Sequence, residues 1–140
     1  MADAIYTAQA TSSGGGRDGR VSTPDGVLDQ DVKMPTALGG PGGATNPEQL
    51  FAAAYATCFH GALRLVAKNK GVTVPPEATI EADVHLASEG GGFGISATLV
   101  GHLPGLDQAA ADDLMQAAHQ VCPYSKATRG NVDVELKATI

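Results

Sequence analysis

The run from Leu50 to Ala67 constrains this chain more than any other segment, because it is apolar on nearly every side of a helix. Its start is marked by Asn46, which can cap, by Pro47 at the first helical position, and by Gln49 three residues after the cap. The pattern predicts a helix to about Asn69, with Gly71 just beyond its end as a stop. Thr57, Cys58, His60, Gly61 and Arg64 interrupt the run, so it fits a buried helix better than a membrane span. Such a helix needs cover on every side. A chain of 140 residues is one domain, here 1–140, and its few strands do not supply that cover. The helix therefore predicts a homodimer.

Around this helix the pattern is of strands and turns. Ala4 to Ala10 is compatible with a strand, and Gly14-Gly15-Gly16 breaks it. Arg20 to Thr23 and Val27 to Met34 flank Pro24-Asp25-Gly26 and read as a hairpin. After Pro75-Pro76, the residues Ala78, Ile80, Ala82, Val84 and Leu86 alternate strictly, as do Phe93, Ile95, Ala97 and Leu99, with Ser88 to Gly92 as the joint. Leu106, Ala110, Leu114, Ala117 and Val121 form one stripe of a second helix from about Asp107 to Val121, which Pro123 ends. Val132, Val134, Leu136 and Ala138 form a last strand. Strands, helix, hairpin, helix and strand in that order give the α+β class.

A net charge of −6 argues against a nucleic-acid partner, which requires a basic footprint. The N-terminal residues lack the basic and apolar regions of a signal peptide. Two cysteines are too few for a secreted disulfide scaffold. The expected compartment is the cytoplasm, with two thiols that are free, catalytic or redox-sensing.

Cys58 lies in mid-helix within Tyr55-Ala56-Thr57-Cys58-Phe59-His60, where a cysteine often acts only as a small hydrophobe. Cys122 lies at a helix end, a more accessible position. A free thiol with a pKa of about 8.5 is only a few per cent thiolate at pH 7, and a nearby cation raises that share. The helix dipole fades after the first turn and Cys58 is about three turns in, so activation requires a side-chain cation. Arg17, after three glycines, is the best candidate, with Glu48 to orient it; a solvated loop residue is the plainer reading of Arg17 alone. Cys58-x-His60 and His119-x-x-Cys122 lack the usual zinc spacings, and residues at i and i+2 of a helix point apart. A Cys–His hydrolase is a weaker reading still, since His60 faces away from Cys58 on the same helix. His119 reads as a packing or hydrogen-bonding residue.

Several blocks resemble the organic hydroperoxide resistance (Ohr) branch of the Ohr/OsmC family. They are Gly15-Gly16-Arg17-Asp18-Gly19, Leu38-Gly39-Gly40, Asn46 to Ala53, Tyr55 to Phe59, Val121-Cys122-Pro123-Tyr124-Ser125 and Ala127 to Asn131. The blocks run through essentially the whole chain in the family's order. The resemblance implies an OsmC-like fold, an intertwined homodimer with its long central helices enclosed by two antiparallel sheets. It implies a thiol peroxidase acting on organic and fatty-acid hydroperoxides, with Cys58 in the peroxidatic place and Cys122 in the resolving one. Arg17 and Glu48 match the activating pair. The implied reductant is a dithiol such as a lipoylated protein, and neither metal nor flavin is implied. Lys126 departs from the asparagine more often found there.

With that chemistry, Phe59 and Tyr124 would line an apolar approach that favours an alkyl peroxide. Glu48 and Cys58 are ten residues apart, about 15 Å along a straight helix, so one arginine hardly serves both on the same chain. If Glu48 belongs to a Cys58 site, it comes from the partner subunit, with the two-fold near the small residues Ala52-Ala53-Ala54. The OsmC branch, a stoichiometric redox sensor and an inert ligand-binding dimer remain as rival readings of the same residues.

Overall fold

Between Asn46 and Gly71 the capping signals act as the sequence predicts, and they set the frame for everything else. A computed structural model describes residues 2–140 and divides the chain into two compact units, Met1–Leu50 and Phe51–Ile140. Helix α1 (Pro47–Lys70) starts in the first unit and belongs to the second from Phe51 onward. Asn46 Oδ1 accepts the Gln49 backbone N–H at 2.9 Å. The Gln49 side chain does not return to Asn46 as a capping box would; it accepts from the Thr45 hydroxyl at 2.9 Å. At the other end, Gly71 takes φ 69°. Its N–H donates to the Lys68 carbonyl at 3.2 Å and that of Val72 to the Ala67 carbonyl at 2.9 Å, which satisfies two otherwise orphaned carbonyls.

The first unit carries an antiparallel meander of β1 (Thr11–Gly14), β2 (Gly19–Ser22) and β3 (Asp29–Val32). The Pro24-Asp25-Gly26 turn forms as expected: the Gly26 N–H donates to the Thr23 carbonyl at 2.9 Å, and the Thr23 hydroxyl donates to Asp25 Oδ1 at 2.6 Å. Arg20 on β2 bridges Asp29 and Asp31 on β3 at 2.7 and 2.8 Å. The strand expected over residues 4–10 does not form; that segment is exposed, and β1 begins only at Thr11. A strand without a neighbour has no ladder to join, and among the described residues none pairs with it.

The second unit holds the main core. On α1, Tyr55, Phe59, Ala62, Leu63, Val66 and Ala67 are buried at helical spacing. They share a cluster with Leu99, Leu103, Leu114, Met115 and Ala118. Burying a leucine of this kind fully contributes about 1.5–3 kcal/mol, so this face holds α1 in place. By length and composition alone α1 is apolar enough to cross a membrane. The burial all round that the sequence suggested is not met within one chain. Ala53, Thr57, Gly61 and Leu65 form an exposed stripe, with Leu65 55 % exposed.

Strands β4 (Thr79–Glu89) and β5 (Gly92–His102) form a long antiparallel hairpin. Its turn is tighter than the sequence reading: only Gly90 and Gly91 connect the strands, with φ 56° and 82°. Positive φ at both central residues matches the right-handed strand twist, and glycine reaches it without strain. Helix α2 (Gln108–Val121) follows, with Asp107 Oδ1 accepting the Ala110 N–H at 2.8 Å as its cap. Pro123 does not simply end the helical region. It opens a second, short helix, α3 (Pro123–Thr128), so Cys122 alone separates α2 from α3.

Strand β6 (Val134–Thr139) then pairs with β5 in parallel, Leu99 opposite Leu136. The sheet order is β4-β5-β6, and this sheet is therefore mixed rather than antiparallel throughout. The reason is the connection: a crossover through two helices returns the chain to the end from which β5 set out. The α+β class stands.

Candidate active site

Arg17 owes its place to a tight turn. The β1–β2 connection is Gly15-Gly16-Arg17-Asp18, closed by the Gly15 N–H donating to the Asp18 carbonyl at 2.8 Å, with Gly16 at φ 73°. Asp18 is further tied to the Lys33 ammonium on the segment after β3. Gly19 passes so close to the Ser13 carbonyl that a Cβ there would collide with its oxygen. We expect Gly19→Ala to distort this turn at a cost of about 1–3 kcal/mol, read as a lower urea midpoint. A variant with unchanged midpoint would show that the turn adapts.

From that turn, Arg17 Nη1 and Nη2 donate to Glu48 Oε2 and Oε1 at 3.0 and 2.9 Å, a two-pronged pairing. Glu48 sits in the first turn of α1, where unpaired backbone N–H groups favour a carboxylate. The Arg17 hydrogen bonds hold the Glu48 carboxyl below the usual carboxylate range, against the opposing effect of burial. Glu48 in turn raises the Arg17 pKa further. The guanidinium is thus a fixed cation, and its side chain remains 45 % exposed.

In the second unit, Cys58 and Cys122 meet. Both are free, and their Sγ atoms lie 3.7 Å apart. Cys58 is partly exposed in mid-helix, whereas Cys122 is completely buried at the joint between α2 and α3. Burial pushes the Cys58 thiol above its ordinary value; the Tyr124 backbone pulls the other way, and Cys122 adds to the rise. With burial as the largest influence, Cys58 favours the thiol over the thiolate.

The surroundings differ from the expected apolar approach in one respect. Phe59 is completely buried and belongs to the core cluster, so it presents no surface to a ligand. Next to Cys58 in sequence, it lies about 100° further round the helix. Phe51, seven residues before Cys58, is the aromatic on the matching face. Its ring meets Tyr55 edge-on at 6.2 Å, and Tyr55 in turn meets Tyr124 at 6.0 Å. Tyr124 is 39 % exposed. The spacing of i to i+7 was the signal for Phe51 in the sequence.

The histidines serve structure. Arg64 Nε donates to His60 Nε2 at 3.3 Å, while its Nη atoms donate to the Val74 and Pro75 carbonyls at 3.0 Å each. Burial, with Arg64 beside it, keeps the His60 pKa low and the ring neutral. His119 Nδ1 pairs with Ser125 Oγ at 2.8 Å. Among the described residues, no group of three or more His, Cys, Asp or Glu side chains is placed to hold a metal ion. The four residues singled out by the sequence thus form two pairs, Arg17 with Glu48 and Cys58 with Cys122, one in each unit.

Comparison with known proteins adds a further finding. The family model described as OsmC-like protein matches residues 40–137, a span that includes Glu48, Cys58 and Cys122 and begins beyond Arg17. An organic hydroperoxide resistance protein of Xanthomonas axonopodis pv. citri is 50 % identical over 133 residues, covering 94 % of this chain and 93 % of its own. The organic hydroperoxide resistance protein OhrB of Bacillus subtilis is 51 % identical over 136 residues, covering 96 % and 98 %. Its crystal structure superposes with a TM-score of 0.88 over 97 % of this chain and all of its own, at 49 % identity. A crystal structure from Legionella pneumophila, described as an organic hydroperoxide resistance protein OsmC, gives a TM-score of 0.91 at 47 % identity, covering 99 % and 100 %.

Proposed function

Because this chain belongs to the OsmC-like family, in its organic hydroperoxide resistance branch, we propose that it is a thiol peroxidase of one domain that reduces organic hydroperoxides to alcohols. The observation that carries this reading is the contact of two free thiols, 3.7 Å apart, one partly exposed and one buried.

The steps balance as follows. The Cys58 thiolate attacks the peroxide O–O bond and takes one oxygen as a sulfenic acid. The alkoxide leaves with a proton as alcohol. The Cys122 thiol then displaces water from the sulfenic acid to form the Cys58–Cys122 disulfide. An external dithiol, such as a lipoylated protein, reduces that disulfide and is itself oxidised to a cyclic disulfide. Tyr124 and Phe51 offer apolar and aromatic surface to the alkyl group. No metal or flavin enters these steps.

Burial holds Cys58 up, so the attack needs a cation that favours its thiolate. Arg17, fixed by Glu48, is that cation. Since α1 is one helix from Pro47 to Lys70, Glu48 and Cys58 are separated by about 15 Å along it. The Arg17–Glu48 pair that serves Cys58 is accordingly the partner's, in an antiparallel homodimer whose α1 helices approach near Ala53. The exposed stripe of Ala53, Thr57, Gly61 and Leu65 supports this, being small or apolar and unpaired within the chain. The reaction takes place in the cytoplasm, with neither nucleic acid nor membrane as a partner.

The test is the consumption of an organic hydroperoxide with dihydrolipoamide as reductant. Rapid turnover is expected. Its absence with both lipoyl and simple thiols would leave a redox sensor or a binding dimer as the better reading.

A further inference from the structure

Helix α3 is six residues long, too short to hold its own place, yet its start decides where the Cys122 thiol, just before the helix, stands against Cys58. What fixes α3 is a buried polar network with no part in the chemistry above. Ser125 Oγ lies 2.9 Å from the Tyr55 hydroxyl of α1 and 2.8 Å from His119 Nδ1 of α2. Tyr55 also reaches Thr128 Oγ1 at 3.1 Å, and Thr128 donates to the Ser125 carbonyl at 3.1 Å. Tyr55 and Ser125 are completely buried, and Thr128 is 4 % exposed.

One arrangement of protons satisfies the whole network. Burial, with Arg129 nearby, keeps His119 neutral, so Nδ1 can accept and Ser125 can donate to it. Thr128 donates to a backbone carbonyl, and Tyr55 donates to the Ser125 or Thr128 oxygen. Arg129 Nη2 donates to the His119 carbonyl at 2.7 Å, which ties the end of α2 to the residue after α3. Geometrically the network runs beside the thiols. Tyr55 precedes Cys58 by one helical turn on the same face, and Ser125 follows Cys122 by three residues. The Tyr55–Ser125 contact is a polar rung parallel to the Cys58–Cys122 rung.

We infer that Ser125, held by Tyr55 and His119, is a positioning residue for the disulfide-forming step, keeping Cys122 within reach of Cys58. The inference rests on the peroxidase reading only for the step's place in a cycle. Sulfenic acid formation needs Cys58, which α1 holds. Disulfide formation also needs α3 in register, so loss of the Ser125 hydroxyl separates the two steps.

The experiment uses the intact protein in glutathione redox buffers, without peroxide, and reads the Cys58–Cys122 disulfide fraction by mass after acid quench. Ser125→Ala is expected to lower the disulfide equilibrium constant by about 10-fold or more, and Tyr55→Phe in the same direction. Asp107→Ala, which removes the α2 cap on the far side of that helix, is the stability control and is expected to stay within about twofold of wild type. If Ser125→Ala fails to fold, Tyr55→Phe carries the test, since it loses only a hydroxyl. A wild-type equilibrium in the folded Ser125 or Tyr55 variants overturns the proposal, as does an equal loss in Asp107→Ala. In a parallel single turnover with tert-butyl hydroperoxide, a dimedone-reactive sulfenic acid should persist about 10-fold longer in Ser125→Ala than in the wild type. Should the wild type consume no peroxide, the peroxidase reading falls, and the glutathione equilibria still decide the role of Ser125.

Discussion

Cys58→Ser should abolish hydroperoxide turnover, by at least about three orders of magnitude, while Cys122→Ser should complete one turnover and stop. The contrast follows from where the sulfurs lie. Cys58 is partly exposed, and serine in its place would offer no thiolate and could not accept the peroxide oxygen as a sulfenic acid. Cys122 is completely buried 3.7 Å behind it, so its loss leaves the first chemistry intact and removes the group that closes the cycle. One equivalent of alcohol should form, with Cys58 trapped by dimedone. Continued turnover by Cys58→Ser, measured with cumene hydroperoxide and dihydrolipoamide, would remove Cys58 from the mechanism.

Arg17→Ala should slow peroxide reduction at pH 7 by roughly two to three orders of magnitude, the usual cost of losing a preorganised charge. The sign with pH is fixed by the Cys58 thiol, which burial raises. Without the cation the thiolate share at neutral pH falls, and the rate should keep climbing into alkaline solution where the wild type has levelled off. On the acid side, the lowered Glu48 pKa keeps the Arg17–Glu48 pair charged until pH falls below the ordinary carboxylate range. A mixing experiment locates the pair. Arg17→Ala and Cys58→Ser, each inactive alone, should recover roughly a quarter of wild-type turnover after co-refolding, because half the dimers then hold one complete site. No recovery would put Arg17 and Cys58 of one chain in one site.

Much of the fold was legible because local chemistry and tertiary packing agree. Asn46, Pro47 and Gly71 mark the ends of α1, and strict alternation marks β4 and β5. Where they part, the sequence misleads. Pro123 reads equally as a helix stop and as a first helical residue, and only the packing of Ser125 and Thr128 decides between them. The parallel direction of β6 depends on the path of α2 and α3, which no strand pattern encodes. Residues 4–10 have strand character but no partner within the chain.

The site divides in the same way. Cys58 and Cys122 stood out as the chain's two thiols, Arg17 by following three glycines and Glu48 by its place in the first helical turn, and the family resemblance joined the four. Phe59 adjoins Cys58 in sequence, but its direction from the helix axis sends it into the core. Ser125 and Tyr55, 70 residues apart, gave no sign of their contact.

Cys122 occupies a joint, with extended backbone dihedrals of −64° and 124° between two helices. Cys58 lies deep in a long one. The two sulfurs therefore differ in mechanical compliance as well as in exposure. A strain applied along the line between them is taken up by torsion at a single residue on one side, while on the other it would have to bend a hydrogen-bonded rod. In the proposed cycle, bond making and breaking between the pair would thus be borne almost wholly by the Cys122 hinge, and Cys58 would stay put, ready for its next substrate.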